Sequence, residues 1–253
     1  MSPAEGDGRG RRRPRRPTVP SRFLQAALAL PLGLALLCLA LPRTIAAWAS
    51  LDAVPAFEAF AASKAPSDAL LADAAHGLNA AVSFVPSSVH LIKLAEIEGV
   101  QASKAGIDKA VRAELLGKAE SHLTAALLAD PTLTFGWLDL AKVRIARGAS
   151  ERDIVVPLVH AIEAAPNMPL AWIPRAELLL RYWQFLDVEE LPEFAAQIRT
   201  IWSASPDFRM QLTEAAIGVD EMEVVAAVIG EPPATLAALQ EMQRRKALRF
   251  PSR

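Results

Sequence analysis

Cysteine is nearly absent: Cys38 is the only one in 253 residues. An intramolecular disulfide is therefore excluded, and a body free of cysteine is compatible with an oxidising compartment. Cys38 stands inside an apolar run, where it reads as a small apolar residue. Histidine is sparse as well. His76, His90, His122 and His160 are scattered, no two at metal-ligand spacing. No phosphate loop, GxSxG elbow, HExxH or CxxC occurs, so the usual signatures of nucleotide, acyl-transfer, zinc and dithiol chemistry are missing. The aromatic share is 6%, with a single tyrosine, and no segment alternates as a half-buried strand would. Ala and Leu supply most of the 52% hydrophobic content, and both favour helix. An all-α protein without an enzymatic site, metal or cofactor is the expectation.

The net charge of −1 hides an asymmetry. Residues 1–22 carry seven Arg against Glu5 and Asp7, while the chain from Arg43 onward holds 20 Lys and Arg against 26 Asp and Glu. Between them Phe23–Leu41 has no charge. Nineteen such residues suffice to cross a bilayer, which needs about 17–25, and Pro31 is tolerable there. The Arg cluster should stay in the cytoplasm. The expected layout is a disordered Arg-rich tail over 1–22, a transmembrane helix over 23–42, a linker over 43–54 and a folded domain over 55–253. The expectation is a single-pass protein of the bacterial inner membrane, with its C-terminal domain in the periplasm. Two alternatives compete. Ala47-Trp48-Ala49 has the form of a signal-peptidase site, but the apolar run is longer than the usual 7–15 residues and Arg43 interrupts its exit. A buried core helix conflicts with an Arg cluster directly before it. The run RGRRRPRRP has the composition of a nucleic-acid patch. Beside a membrane span it sets topology and touches anionic headgroups instead, so lipid, not nucleic acid, is its expected partner.

Proline punctuates the body. Pro86, Pro131, Pro166 and Pro206 each follow an apolar helix end and precede a new amphipathic helix, at spacings of 45, 35 and 40 residues. Six residues after them stand Ile92, Trp137, Trp172 and Leu212. Ten after stand Ala141, Ala176 and Ala216, with Glu96 as the exception and Ala95 one place early. Offsets of twelve, eight and five before them give Ala74, Leu78 and Ala81, then Ala119, Leu123 and Ala126, then Ile154, Leu158 and Ala161, then Phe194, Ile198 and Ile201. These offsets place each set on one helical face. Helices are expected near 55–64, 67–84, 87–101, 108–129, 134–147, 151–164, 169–185, 188–203, 207–217, 220–229 and 233–249. The last, with Leu236, Leu239 and Met242 on one side, reads as a polar-faced cap.

Over residues 55–217 this pattern resembles the tetratricopeptide repeat: Trp, Leu and a small residue on the first helix, then small, large, small and Pro on the second. Trp137, Leu140 and Ala141 carry the best match. The resemblance implies a helix-turn-helix array, an α-solenoid, whose first helices line a concave surface and receive a partner. On that reading Lys142, Ile145, Glu177 and Leu180 point inward. Tyr182 and Trp183, in the densest aromatic cluster of the chain, are candidate anchors, although aromatics at such positions more often pack. The acidic pairs Glu189-Glu190 and Glu221/Glu223 read as helix N-terminal charge before acid–base catalysts. The expected function is a protein–protein interaction scaffold in the bacterial cell envelope. Small anchored proteins of this architecture look like accessory factors of surface-polysaccharide assembly. A periplasmic assembly chaperone for cytochromes or outer-membrane proteins is the second class. A ligand-binding protein or enzyme on an atypical helical fold is the third.

Overall fold

The computed structural model describes residues 22–230 and 232–249. The basic tail thus lies outside the described residues, apart from Arg22. The chain divides into two units, Met1–Thr44 and Ile45–Arg253. Among the described residues every regular element is a helix.

Helix α1 runs over Arg22–Ala49. Its 28 residues make it about 42 Å long at 1.5 Å per residue. Within the first unit Leu28, Leu30, Leu32, Leu34, Leu36, Leu37, Leu39 and Leu41 are all exposed. This is a helix long and apolar enough to cross a membrane, and none of the apolar window is covered by protein. At its polar end Arg43 donates to the Leu39 carbonyl at 2.8 Å and Thr44 to the Ala40 carbonyl at 3.0 Å. Stretch 43–54, expected as a linker, is helical throughout: α1 continues to Ala49 and a 3-10 turn covers Ser50–Ala53.

The second unit continues with α2 (Val54–Ala61), α3 (Asp68–Phe84), α4 (Ser88–Ala102), α5 (Lys109–Ala129), α6 (Thr134–Arg147) and α7 (Glu151–Ala164). Then follow α8 (Pro169–Tyr182), α9 (Leu191–Ala204), α10 (Pro206–Gly218), α11 (Met222–Ile229) and α12 (Pro232–Arg249). Short polar side chains start several of them. Ser67, Ser87, Ser150 and Ser205 accept from the backbone N–H three residues on, and Asp108 accepts from Ala110 and Val111. Such caps satisfy amides that a helix start otherwise leaves orphaned. Gly148, at φ 72°, closes α6 in the left-handed conformation that glycine adopts freely. Pro86, Pro131 and Pro166 fall in turns and Pro206 is the first residue of α10, the two places where proline interrupts nothing.

Consecutive helices pack against each other from α3 to α9. Helices two apart also touch, α4 with α6, α6 with α8 and α8 with α10 on one side, α7 with α9 and α9 with α11 on the other. Every small or large apolar residue placed by its offset before a proline is buried, from Ala74 to Ile201. So are Ala141, Ala176 and Ala216 after them. Trp137 and Trp172 do more than fill space. Each indole N–H donates to the carbonyl of the proline six residues earlier, Pro131 at 2.9 Å and Pro166 at 3.0 Å. The two turns are thereby tied to the next helix in the same way. At the far end α12 places Leu239 in the core, and Gln243 donates to the carbonyls of Trp183, Gln184 and Leu186.

The long helix expected over 169–185 ends at Tyr182 and tightens into a 3-10 turn over Trp183–Phe185. The next begins at Leu191, later than 188. The Glu190 carboxylate accepts from the Asp187 N–H at 2.7 Å, which holds 187–190 as a turn, and Pro192 sits in the first helical turn where its missing N–H is harmless.

Candidate functional site

Helices α4 and α6 both lie on α5 and meet each other only lightly. The gap between them is a groove of about 280 Å³. Glu96, Gly99, Val100 and Ser103 line it from α4 and the turn after it, and Asp139, Lys142, Val143 and Ala146 from α6. Both sets follow three- and four-residue spacing, the period that keeps side chains on one helical face. The floor is Ala95, Leu116 and Leu123, residues of the α4–α5–α6 core. Small residues on both walls, Gly99 and Ala146, keep the groove open. A β-carbon at Gly99 would meet nothing within 4 Å.

Charge sits at the lip. Lys142 is 2.9 Å from Asp139. Glu96 faces the same space, and its carboxyl is raised above the usual carboxylate range, first by loss of water in the apolar wall and then by Asp139. Lys142 and Lys93 oppose that shift. The Ser103 hydroxyl is already engaged, donating to the Val100 carbonyl at 2.8 Å. What the groove offers a ligand is apolar area edged by charge of both signs.

Of the six residues proposed from sequence, only Lys142 lines this groove. Ile145 is half-buried and packs toward the next core. Glu177 is exposed on α8 and 3.5 Å from Arg181. Leu180 and Trp183 are fully buried and Tyr182 packs against the same cluster, so the aromatic cluster is core, and a partner does not reach Leu180 or Trp183 in this fold. Glu96 is the residue sequence reasoning passed over. It was visible as the one departure from a small residue ten places after a proline. That departure puts a carboxylate where the other units have alanine.

His122, His160 and Glu190 make structural contacts. His122 Nδ1 is 2.9 Å from buried Glu98, and His160 is 2.7 Å from Glu163 with its ring against Trp137. Glu190 is bound by both terminal nitrogens of Arg152, at 2.6 and 2.8 Å. The Arg152 contact holds the Glu190 carboxyl below its ordinary range. Among the described residues no group of three His, Cys, Asp or Glu is placed to hold a metal ion. No family model matches the chain, and no curated protein or solved structure is significantly similar to it.

Proposed function

We propose that this chain is a membrane-anchored scaffold for protein–protein interaction in the bacterial cell envelope. Its body is a tetratricopeptide-like stack of helical hairpins, supported by the burial of every residue at the offsets before the prolines and by the shared Trp–Pro ties. The observation that carries the role is the groove between α4 and α6: apolar floor, glycine and alanine walls, and charge only at the lip. It suits an apolar side chain of a partner segment, held in register by charged neighbours. The bare apolar surface of α1 supports anchoring, and the Arg cluster before it supports a cytoplasmic N-terminus.

A photo-cross-linking residue at Ala146, in the full chain in its native membrane, tests the reading. It should give a discrete protein adduct that the same probe at exposed Glu189 does not. Gly99→Trp, which has open space to fill, should abolish the adduct without lowering Tm. Persistence of the adduct in the plugged variant, or no difference between Ala146 and Glu189, overturns the groove as the binding surface.

A further inference from the structure

A second cleft, of about 250 Å³, lies between the C-terminal end of α7 and α9, away from the groove described above. Ile162, Pro166 and Ala196 give it apolar walls, and Glu163 and Glu193 supply carboxylates. Gln197 also lines it and is itself buried, 3% exposed. Its amide has a fixed sense. Arg175, fully buried beneath it, brings a guanidinium nitrogen to within 2.5 Å of the Gln197 side-chain oxygen, and a guanidinium can only donate. The Gln197 NH2 therefore faces away from Arg175. It is buried and has no hydrogen-bond partner among the described residues. A donor left in that condition costs folding free energy, and a cleft wall is where a ligand can supply the acceptor.

The charges decide what kind of acceptor. An anion would meet Glu163 and Glu193, and the Arg175 cation is already occupied by the carbonyls of Ala161, Ala165 and Pro166. A neutral carbonyl accompanied by a cation fits on every count. We propose that this cleft binds a lysine- or arginine-bearing peptide segment of a partner protein. A backbone carbonyl accepts from Gln197, the basic side chain lies among the carboxylates, and its methylene stem covers Ile162 and Ala196.

The probe is a fluorescent, acetylated and amidated hexapeptide of alternating Ala and Lys, titrated onto the full chain in detergent micelles. Its Ala and Glu counterpart is the control. Saturable binding of the lysine peptide is expected, at least tenfold weaker with Glu193→Lys, an exposed position. Gln197→Glu should weaken it as far. The new carboxylate keeps its bond to Arg175 but has no N–H to donate, so a loss despite the added negative charge isolates the donor. Gly99→Trp should change nothing, which separates this cleft from the α4–α6 groove. The proposal fails if the native chain shows no saturable binding up to millimolar peptide, or if the glutamate peptide binds equally. It fails also if Gln197→Glu keeps the native affinity, since attraction is then by charge alone.

Discussion

Arg175 and Glu98 show how this helical body handles buried polar groups. Arg175 makes no ion pair among the described residues; its guanidinium is spread over carbonyls at the C-terminal end of α7 and over Gln197. A helix C-terminus is the negative end of the dipole, so a cation there is compensated without a carboxylate. Burial still pushes its pKa down to about 10, which leaves it charged at neutral pH. Glu98 is buried against His122 instead. Removing one partner strands the other, so His122→Leu should cost about 1–3 kcal/mol in urea unfolding, while adding Glu98→Leu should recover most of it. A double variant as unstable as the single one would show that the pair does not account for the loss. Glu96 differs from both, because it is solvent-exposed at the groove lip and yet raised above 4.5. A raised carboxyl contributes stability that is full below the unfolded pKa and lost as pH rises through the folded one. Glu96→Gln should therefore raise Tm slightly at pH 7 and converge with the native chain below pH 4.5. Solvent screening keeps the difference small. A Tm difference that does not narrow as pH falls from 7 to 4 would contradict the raised carboxyl.

At the scale of elements, local chemistry sets the helices and tertiary offsets set the sites. The four prolines, the serine caps and Gly148 are all visible in the sequence, and each acts through its own backbone neighbours. That is why the helix boundaries near 84, 129, 147, 164, 204 and 218 were legible. The 3-10 turn at Trp183 was less so; there Gln243, 60 residues away, donates to the carbonyl. The groove was not legible either. A repeat pattern names which residues face inward but not how far α4 and α6 stand apart, and the aromatic cluster that drew attention is consumed by the core. Gly77 illustrates a contact of the same hidden kind. A β-carbon there would lie 2.4 Å from the Ala49 carbonyl oxygen and 2.8 Å from the Asp52 β-carbon. The chain just before α2 thus crosses α3 at a point where only glycine fits. Gly77→Ala should force Ser50–Ala53 off α3, at a cost of about 1–3 kcal/mol. Limited proteolysis should then show faster cleavage around Leu51–Phe57. Unchanged cleavage and an unchanged Tm would mean that the approach is looser than the structure has it.

For the whole molecule the governing fact is segregation of charge about one apolar stretch. Seven Arg precede Phe23, no charge occurs through Leu41, and the remainder is net acidic. A positively charged segment resists translocation while acidic residues contribute little to orientation. The tail should therefore stay inside and the folded body pass across. Neither the helix itself nor its length decides this, since a cleaved signal sequence and an anchor both begin as apolar helices near an N-terminus. The α-helix runs without a break from Arg22 through Arg43 to Ala49. Two measurements separate the outcomes. Alkaline phosphatase fused after Arg253 should be active, and an inactive fusion would reverse the orientation. The intact mass of the mature membrane-bound chain should include residues 1–49. A chain beginning at Ser50 would make the apolar helix a transient signal and release the second unit from the membrane, leaving its grooves to act in solution.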